Sequence, residues 1–233
     1  MNGIIIIDKP LGRTSHDMVY VMRKMTGIKK VGHTGTLDPE ATGVLPVCIG
    51  SATKVADMLT LSDKCYRAEL VLGMTTDTQD ADGEVLTECK VTCSEDEIRQ
   101  VIMSFVGEIE QIPPMYSAIK QNGKKLYELA RKGIEVERKS RKVTINSIDI
   151  LEINGERVTI DVSCSKGTYI RTLCEDIGMK LHVGAYMNTL RRTKTGPFTI
   201  EESHTLKEIE TLKNNGELEK IIIPVDRMFE EYP

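Results

Sequence analysis

The chain has 233 residues, of which 40% are hydrophobic and 28% are charged, so it can bury a core and does not have the composition of a disordered protein. Its formal net charge of -4 excludes a protein that is basic throughout. No apolar run is long enough for a membrane-spanning helix, and the first ten residues lack the pattern of a signal peptide. We therefore expect a cytoplasmic protein with one large domain or two small ones.

The first predicted elements are a strand and a helix. Residues 3–7 form a continuous run of mostly β-branched apolar residues, which predicts a buried strand. Ser15 is the predicted N-cap of the helix, and Gly27 is its predicted end. The apolar residues between them recur at helical spacing (Met18, Val21, Met22 and Met25).

Further elements alternate between strand and helix along the chain. Residues 64–73, KCYRAELVLG, alternate between apolar and polar and predict a strand with Tyr66 near its start. Ser94 and Glu97 form a capping box in front of a helix, and Thr205 and Glu208 form another. Residues 158–164 predict a strand, and a helix is expected after it with its apolar residues inward (Leu173, Cys174, Ile177 and Leu181). This order favours an α+β fold.

The segment VGHTGTLDPEATGVL, residues 31–45, has the strongest chemical signal. Asp38 precedes Pro39, which disfavours helical geometry at the aspartate and predicts a carboxylate on a stiff loop. A simple Asp-Pro turn is the alternative interpretation. The segment is not a nucleotide-binding P-loop, because no Lys-Ser or Lys-Thr follows its glycines.

Three other side chains could join this carboxylate. His33, in the same loop, could stack on a base, although a lone histidine is more often structural. Arg171 follows a predicted strand and could pair with a carboxylate in bidentate fashion. Tyr66 could present both a ring face and a phenol. Each signal is weak by itself.

Charge is unevenly distributed along the chain. Residues 120–142 contain nine Lys or Arg against three Glu, a local charge of +6, whereas residues 75–97 have a local charge of -7. The basic segment is either a phosphate-binding surface or a solvated face, and charge alone does not choose between them. The six cysteines are scattered and complete no zinc-binding set, so no metal site is predicted.

Six segments of this sequence resemble the TruB-type tRNA pseudouridine 55 synthases, from residue 4 to about residue 225. The segments occur in the family's order: DKPLGRTS (8–15), VGHTGTLDPEATGVLPV (31–47), KCYRAELVLG (64–73), PPMYSAIKQNGKKLYELAR (113–131), CSKGTYIRTL (164–173) and LRRTKTGPF (190–198). The resemblance implies a pseudouridine synthase fold with a mixed, mostly antiparallel central sheet flanked by helices. It also implies that residues 120–142 are an inserted basic flap that closes over RNA.

The resemblance implies an isomerase that converts uridine 55 in the T-loop of tRNA to pseudouridine, without a metal or a cofactor. It implies that Asp38 is the nucleophile, that Tyr66 packs on the target base and removes the C5 proton, and that Arg171 pairs with the catalytic carboxylate. His33, Tyr169 and Leu190 match positions that contact the flipped nucleotide. Lys9 and Lys120 are further expected substrate-binding residues.

We expect residues 1–233 to form one catalytic domain that works as a monomer in the cytoplasm and lacks the C-terminal PUA-like domain that is usual in the family. Two rival functions remain. A non-catalytic RNA-binding protein would keep the basic flap without needing Asp38, Tyr66 and Arg171 together. A hydrolase with an aspartate nucleophile, such as a phosphatase, would need a second acid, for which Glu40 is the nearby candidate, and a metal-binding acidic pair.

Overall fold

The structure is a computed structural model that describes residues 1–121 and 123–226, so position 122 of the expected flap lies outside the described residues. Within these ranges no helix is both long and apolar enough to cross a membrane. The strands are β1 (Gly3–Lys9), β2 (Val31–His33), β3 (Ala41–Ile49), β4 (Lys64–Leu72), β5 (Met74–Thr76), β6 (Val85–Glu88), β7 (Gly107–Gln111), β8 (Lys120–Gln121), β9 (Lys124–Lys125), β10 (Arg141–Asn154), β11 (Arg157–Cys164), β12 (Ala185–Thr195) and β13 (Phe198–Thr199). The α-helices are α1 (Ser15–Thr26), α2 (Ala56–Leu61), α3 (Glu95–Met103), α4 (Leu126–Ala130), α5 (Ile170–Lys180) and α6 (Leu206–Asn214).

The chain divides into two compact units. Unit 1 contains Met1–Tyr66 and the described part of Leu190–Pro233, and unit 2 contains Arg67–Thr189. The strands pair in a mixed, mostly antiparallel arrangement with helices beside them, which confirms the predicted α+β class.

In unit 1, β3 is the central strand. It pairs antiparallel with β1 from Gly3↔Ile49 to Lys9↔Gly43, and antiparallel with β2. It pairs in parallel with β12 at Leu190↔Ala41. Residues of β1 alternate between two apolar clusters, one that contains α1 and α6 residues and one that contains Leu59 and Phe198. A strand that is buried on both faces explains why the run at residues 3–7 is continuously apolar.

The N-cap of helix α1 lies one residue earlier than the sequence predicts. The N-cap is Thr14, whose hydroxyl accepts the Asp17 N–H at 3.0 Å, so the prediction of Ser15 as the N-cap is wrong. Ser15 is the first helical residue, and its hydroxyl is used elsewhere. Gly27 ends the helix with a φ of 71°, as predicted.

In unit 2, the strands follow the order β4, β11, β10 and β7. Strand β11 buries Val158, Ile160, Val162 and Cys164, as the alternating pattern predicts. Helix α5 follows and buries Leu173, Cys174 and Ile177, while Leu181 is half-buried just past its end. The capping box at Ser94 and Glu97 is confirmed for α3, as the one at Thr205 and Glu208 is for α6 in unit 1.

Candidate active site

The loop between β2 and β3 displays the carboxylate of Asp38. Asp38, Pro39 and Glu40 are all exposed, while the preceding Leu37 is only 4% exposed. The Asp38 carbonyl accepts the Ala41 N–H at 3.1 Å, so the backbone turns here. The two interpretations of the Asp-Pro pair are therefore compatible, because the chain turns and Asp38 is still exposed.

Ser15 fixes the backbone just before Asp38. Its hydroxyl accepts the Leu37 N–H at 2.8 Å and donates to the Leu37 carbonyl at 3.0 Å. Ser15 is 2% exposed, so both bonds are shielded from water. One buried side chain thus satisfies both backbone groups of a loop residue and ties the loop to the start of α1.

Lys9 supports the same loop from inside the protein. The residue is fully buried, and its ammonium donates to the carbonyls of Pro10, Arg13 and Pro39 at 2.9, 2.6 and 3.1 Å. Burial lowers the pKa of Lys9 to about 8, against the charges of Glu40 and Asp38, which raise it. We expected Lys9 to contact the substrate. Its three donors are instead occupied by backbone, which favours a role in holding the loop.

A second buried cation lies under the glycine-rich part of the loop. Arg192 is 1% exposed, its Nε donates to the Val44 carbonyl at 2.8 Å, and its Nη2 donates to the Gly35 carbonyl at 3.1 Å. The side chain of Tyr66 lies next to the guanidinium and interacts with it. Burial lowers the pKa of Arg192, and the interaction with Tyr66 opposes this. The phenol of the half-buried Tyr66 is thus held next to a fixed positive charge.

Gly43 allows the strand that contains Arg192 to lie against β3. The register pairs Arg192 with Gly43, which has a φ of 104°. A Cβ at this glycine would lie 2.1 Å from the Arg192 carbonyl oxygen, so a larger residue would clash with backbone. Leu190 pairs with Ala41 two residues earlier and is half-buried.

His33 is held neutral near neutral pH. Its pKa is lowered by burial and by the positive charges of Arg192 and His16. Its Nδ1 is buried and has no hydrogen-bond partner among the described atoms. An uncharged, half-buried imidazole at the end of β2 suits contact with a base better than contact with a phosphate.

In unit 2, Arg171 is a buried cation in the first turn of α5. It is 7% exposed, and its Nη1 lies 3.2 Å from Asp80 Oδ2, while its Nη2 donates to the Tyr116 carbonyl at 2.8 Å. Asp80 and Tyr116 both belong to unit 2. The expected ion pair with the catalytic carboxylate stays a prediction.

Tyr169 is the residue immediately before α5, and its backbone is clamped. Its N–H donates to Gln111 Oε1 at 3.0 Å, and its carbonyl accepts from Gln111 Nε2 at 3.1 Å. Gln111 is 2% exposed, so the clamp is buried and the start of α5 is well defined.

The basic segment 120–142 is folded into short elements, β8, β9 and α4. Lys120 is exposed. A cavity of about 340 Å³ is lined by residues of this segment and its neighbours: Pro113, Ile119, Lys120, Gln121, Leu126, Glu137, Arg138, Lys139 and Arg141. The wall of this cavity is mixed, with cationic and apolar groups.

Three positioning residues are not evident from the sequence. Ser15 resembles a helix cap, Arg192 has no visible link to Tyr66, and Asp80 is one of several acids in residues 75–97. The one signal for Asp80 is its place in this acidic stretch, which favours an ion pair with some cation. Its partner, Arg171, is 91 residues away in the sequence. Across residues 1–121 and 123–226, no group of three or more His, Cys, Asp or Glu side chains is arranged to hold a metal ion.

Two family models match the chain. Residues 23–170 match the TruB family pseudouridylate synthase N-terminal domain, and residues 171–230 match the tRNA pseudouridylate synthase B C-terminal domain.

Relatives with known names match over nearly the whole chain. The chain is 57% identical to tRNA pseudouridine synthase B of Alkaliphilus oremlandii over 97% of its length and 75% of the relative's. It is 49% identical to tRNA pseudouridine synthase B of Dechloromonas aromatica over 100% of its length and 78% of the relative's. Among solved structures, it matches a chain of a Cbf5-Nop10-Gar1 complex with a TM-score of 0.79 and 36% identity, over 98% of this chain and 62% of that one.

Proposed function

The chain belongs to the TruB family of pseudouridylate synthases, and from this we infer that it isomerises uridine 55 in the T-loop of tRNA to pseudouridine. It is an isomerase that acts on tRNA. The observation that supports this most directly is the exposed Asp38 on a loop that Ser15 and Lys9 hold from inside. A carboxylate that is to attack a nucleoside must be both accessible and fixed in position.

The chemistry requires a nucleotide outside the base stack. A paired base hides its glycosidic bond, so the nucleotide must be flipped out at a cost of roughly a few kcal/mol, which is lower in a loop. The Asp38 carboxylate then attacks the ring or the ribose, the base detaches and turns, and it rejoins the ribose through C5. Both routes need one carboxylate and, at the end, a base for the C5 proton.

We assign the remaining roles as the family resemblance suggests. Tyr66 removes the C5 proton, and Arg171 pairs with the catalytic carboxylate. His33, Tyr169 and Leu190 contact the flipped nucleotide. The reaction uses neither metal nor cofactor, and the enzyme acts as a monomer in the cytoplasm, where tRNA is its partner.

The basic flap is the proposed RNA-gripping element. Its exposed cations, Lys120 among them, and the cavity beneath them offer charge and apolar surface together. Phosphates respond to such a local surface even when the protein as a whole is acidic. Lys9, by contrast, acts on the substrate only through the loop that it supports.

Asp38→Asn is the test, with Glu40→Gln as its matched control. Both variants replace an exposed carboxylate of the same loop by its amide. T-loop RNA that carries tritium at C5 of uridine releases the label only if the base rejoins through C5. We expect Asp38→Asn to abolish release while tRNA affinity stays within a few-fold, and Glu40→Gln to release the label as the wild type does.

The same pair of variants separates the rival functions. A non-catalytic RNA-binding protein would release no label in any form. A hydrolase with a second acid would lose activity in Glu40→Gln and would release phosphate from a phosphomonoester in the presence of magnesium. Label release by Asp38→Asn at a rate near that of the wild type would contradict the nucleophile assignment.

A further inference from the structure

Arg192 is a buried cation whose described partners are almost all neutral. Its side chain is 1% exposed, and it donates to the carbonyls of Val44 and Gly35. The remaining described partner is the phenol of Tyr66. A guanidinium stays protonated in proteins, and a buried charge without a counter-charge is costly. Of these three partners, only Tyr66 can become an anion.

We propose that Arg192 is a positioning residue that holds the oxygen of Tyr66 as a phenolate, ready to accept the C5 proton of the rearranged base. The proposal rests on the isomerisation inferred above and adds to it a reason why a tyrosine can act as a base near neutral pH. An ordinary tyrosine has a pKa of about 10 and is protonated there.

The geometry makes the arrangement rigid. Arg192 belongs to β12 and pairs with Gly43 of β3 at a backbone distance that only glycine allows. Its guanidinium also donates to the carbonyls of Gly35 and Val44. Tyr66 is in β4, in which Lys64, Ala68 and Leu70 are buried. Neither group can therefore move away from the other without breaking buried hydrogen bonds.

Other charges near Arg192 favour an anion at Tyr66. The Arg192 charge contributes to lowering the pKa of Lys9 and of His33, so both residues lie close enough to interact with it. The stem of Lys64 lies close to the same glycine of the loop as the Arg192 guanidinium. The cationic and neutral groups of this region are Lys9, His33, Lys64 and Tyr66, and its carboxylates are Glu40 and Asp38, whose charges act on Lys9.

Tyr66 carries the C5 proton from the base to water. The C5–H bond breaks, its proton passes to the phenolate oxygen, and its electron pair completes the C5–C6 double bond of pseudouridine. N1, which has given up its bond to the ribose, takes up one proton from water. The phenol then returns its proton to water, so that the isomerisation consumes and releases none.

A direct titration of Tyr66 in the wild-type protein tests the proposal without any substitution of Arg192. Tyrosine labelled with ¹³C at Cζ gives signals for the seven tyrosines, and the Tyr66→Phe variant identifies the one in question. We expect this tyrosine to titrate well below pH 10, the ordinary value for a phenol. Titration at or above about pH 10 would overturn the proposal.

A double-mutant cycle measures whether Arg192 acts through Tyr66. In single-turnover reactions near pH 7, Arg192→Gln should slow label release by about tenfold or more, because each unit of pKa changes the phenolate fraction tenfold. In the Tyr66→Phe background the same substitution should have little further effect. An equal factor in both backgrounds would show a merely structural role and refute the inference.

Two controls complete the experiment. Arg192→Lys keeps the charge and should restore part of the rate, whereas Arg67→Gln removes an exposed arginine next to Tyr66 in sequence and should leave the rate and the pH profile unchanged. Because burial lowers the pKa of Lys9 to about 8, the rate profile is assigned to Tyr66 only where the NMR titration agrees with it. Absence of label release by the wild type would instead refute the proposed function.

Discussion

The hydroxyl of Ser15 offers a way to loosen the catalytic loop without touching a proposed catalytic group. Ser15→Ala deletes the donor and acceptor that serve both backbone groups of Leu37, at 2.8 and 3.0 Å, in a position that is 2% exposed. A buried backbone group left without its partner costs about 1–3 kcal/mol. Water can replace part of this, so we expect a loss of about 2 kcal/mol in the free energy of unfolding.

The effect on the reaction should be larger than the effect on binding. Leu37 immediately precedes Asp38, and a misplacement of about 1 Å in a reacting group can cost on the order of a hundredfold in rate. We expect Ser15→Ala to slow single-turnover label release by at least about tenfold, while tRNA affinity stays within a few-fold. The rate is measured well below the unfolding temperature, so that loss of folded protein does not contribute.

Ser94→Ala is the matched control for this prediction. Ser94 caps α3 with a hydroxyl that accepts the Glu97 N–H, and its loss should cost about 1 kcal/mol of stability with no effect on the rate. If Ser15→Ala unfolds more easily but releases label as fast as Ser94→Ala does, the loop needs no such clamp and the reasoning fails.

Two further predictions concern charge. Changing the exposed Lys120, Lys124 and Lys139 of the flap to Glu should make the slope of log affinity for tRNA against log salt concentration shallower by about 2, since each lost phosphate contact contributes about 0.7–0.9. The same change at the exposed Lys207, Lys213 and Lys220 is the control. An equal slope for the wild type and both variants would contradict the flap assignment. Burial lowers the pKa of Lys9 from 10.5 to about 8, so the folded state releases this proton first and the free energy of unfolding, measured by denaturant relative to Lys9→Met, should rise between about pH 8 and pH 10. A flat difference over that range would show that Lys9 is not destabilised as an ammonium.

Local signals along the chain predicted the elements that depend on local physics. The capping boxes at Ser94 and Thr205, the glycine end of α1 and the alternating strand at residues 158–164 are all present. Each of these depends on residues within a few positions of one another, so the sequence carries the whole interaction. The family resemblance, rather than periodicity, supplied the fold and the reaction.

The contacts that the sequence did not predict all join residues that are far apart along the chain. Ser15 looks like an N-cap locally, yet its hydroxyl bonds Leu37, 22 residues on. Arg192 follows another arginine in a polar stretch that reads as surface, but its guanidinium bonds Val44, 148 residues away. A hydrophobicity pattern treats every arginine as exposed, so it cannot reveal one whose charge is used inside.

The loop of Asp38 is held at a cost to stability. Lys9 and Arg192 are both buried cations, and both donate hydrogen bonds to backbone carbonyls around this loop instead of to carboxylates. Apolar residues of similar size would fold more stably at such positions if stability were the only constraint. The charged alternatives give two properties that apolar packing does not: they satisfy loop carbonyls that no strand or helix pairs, and they set a positive potential beneath an exposed carboxylate. The same two residues therefore hold the backbone of the loop that displays Asp38.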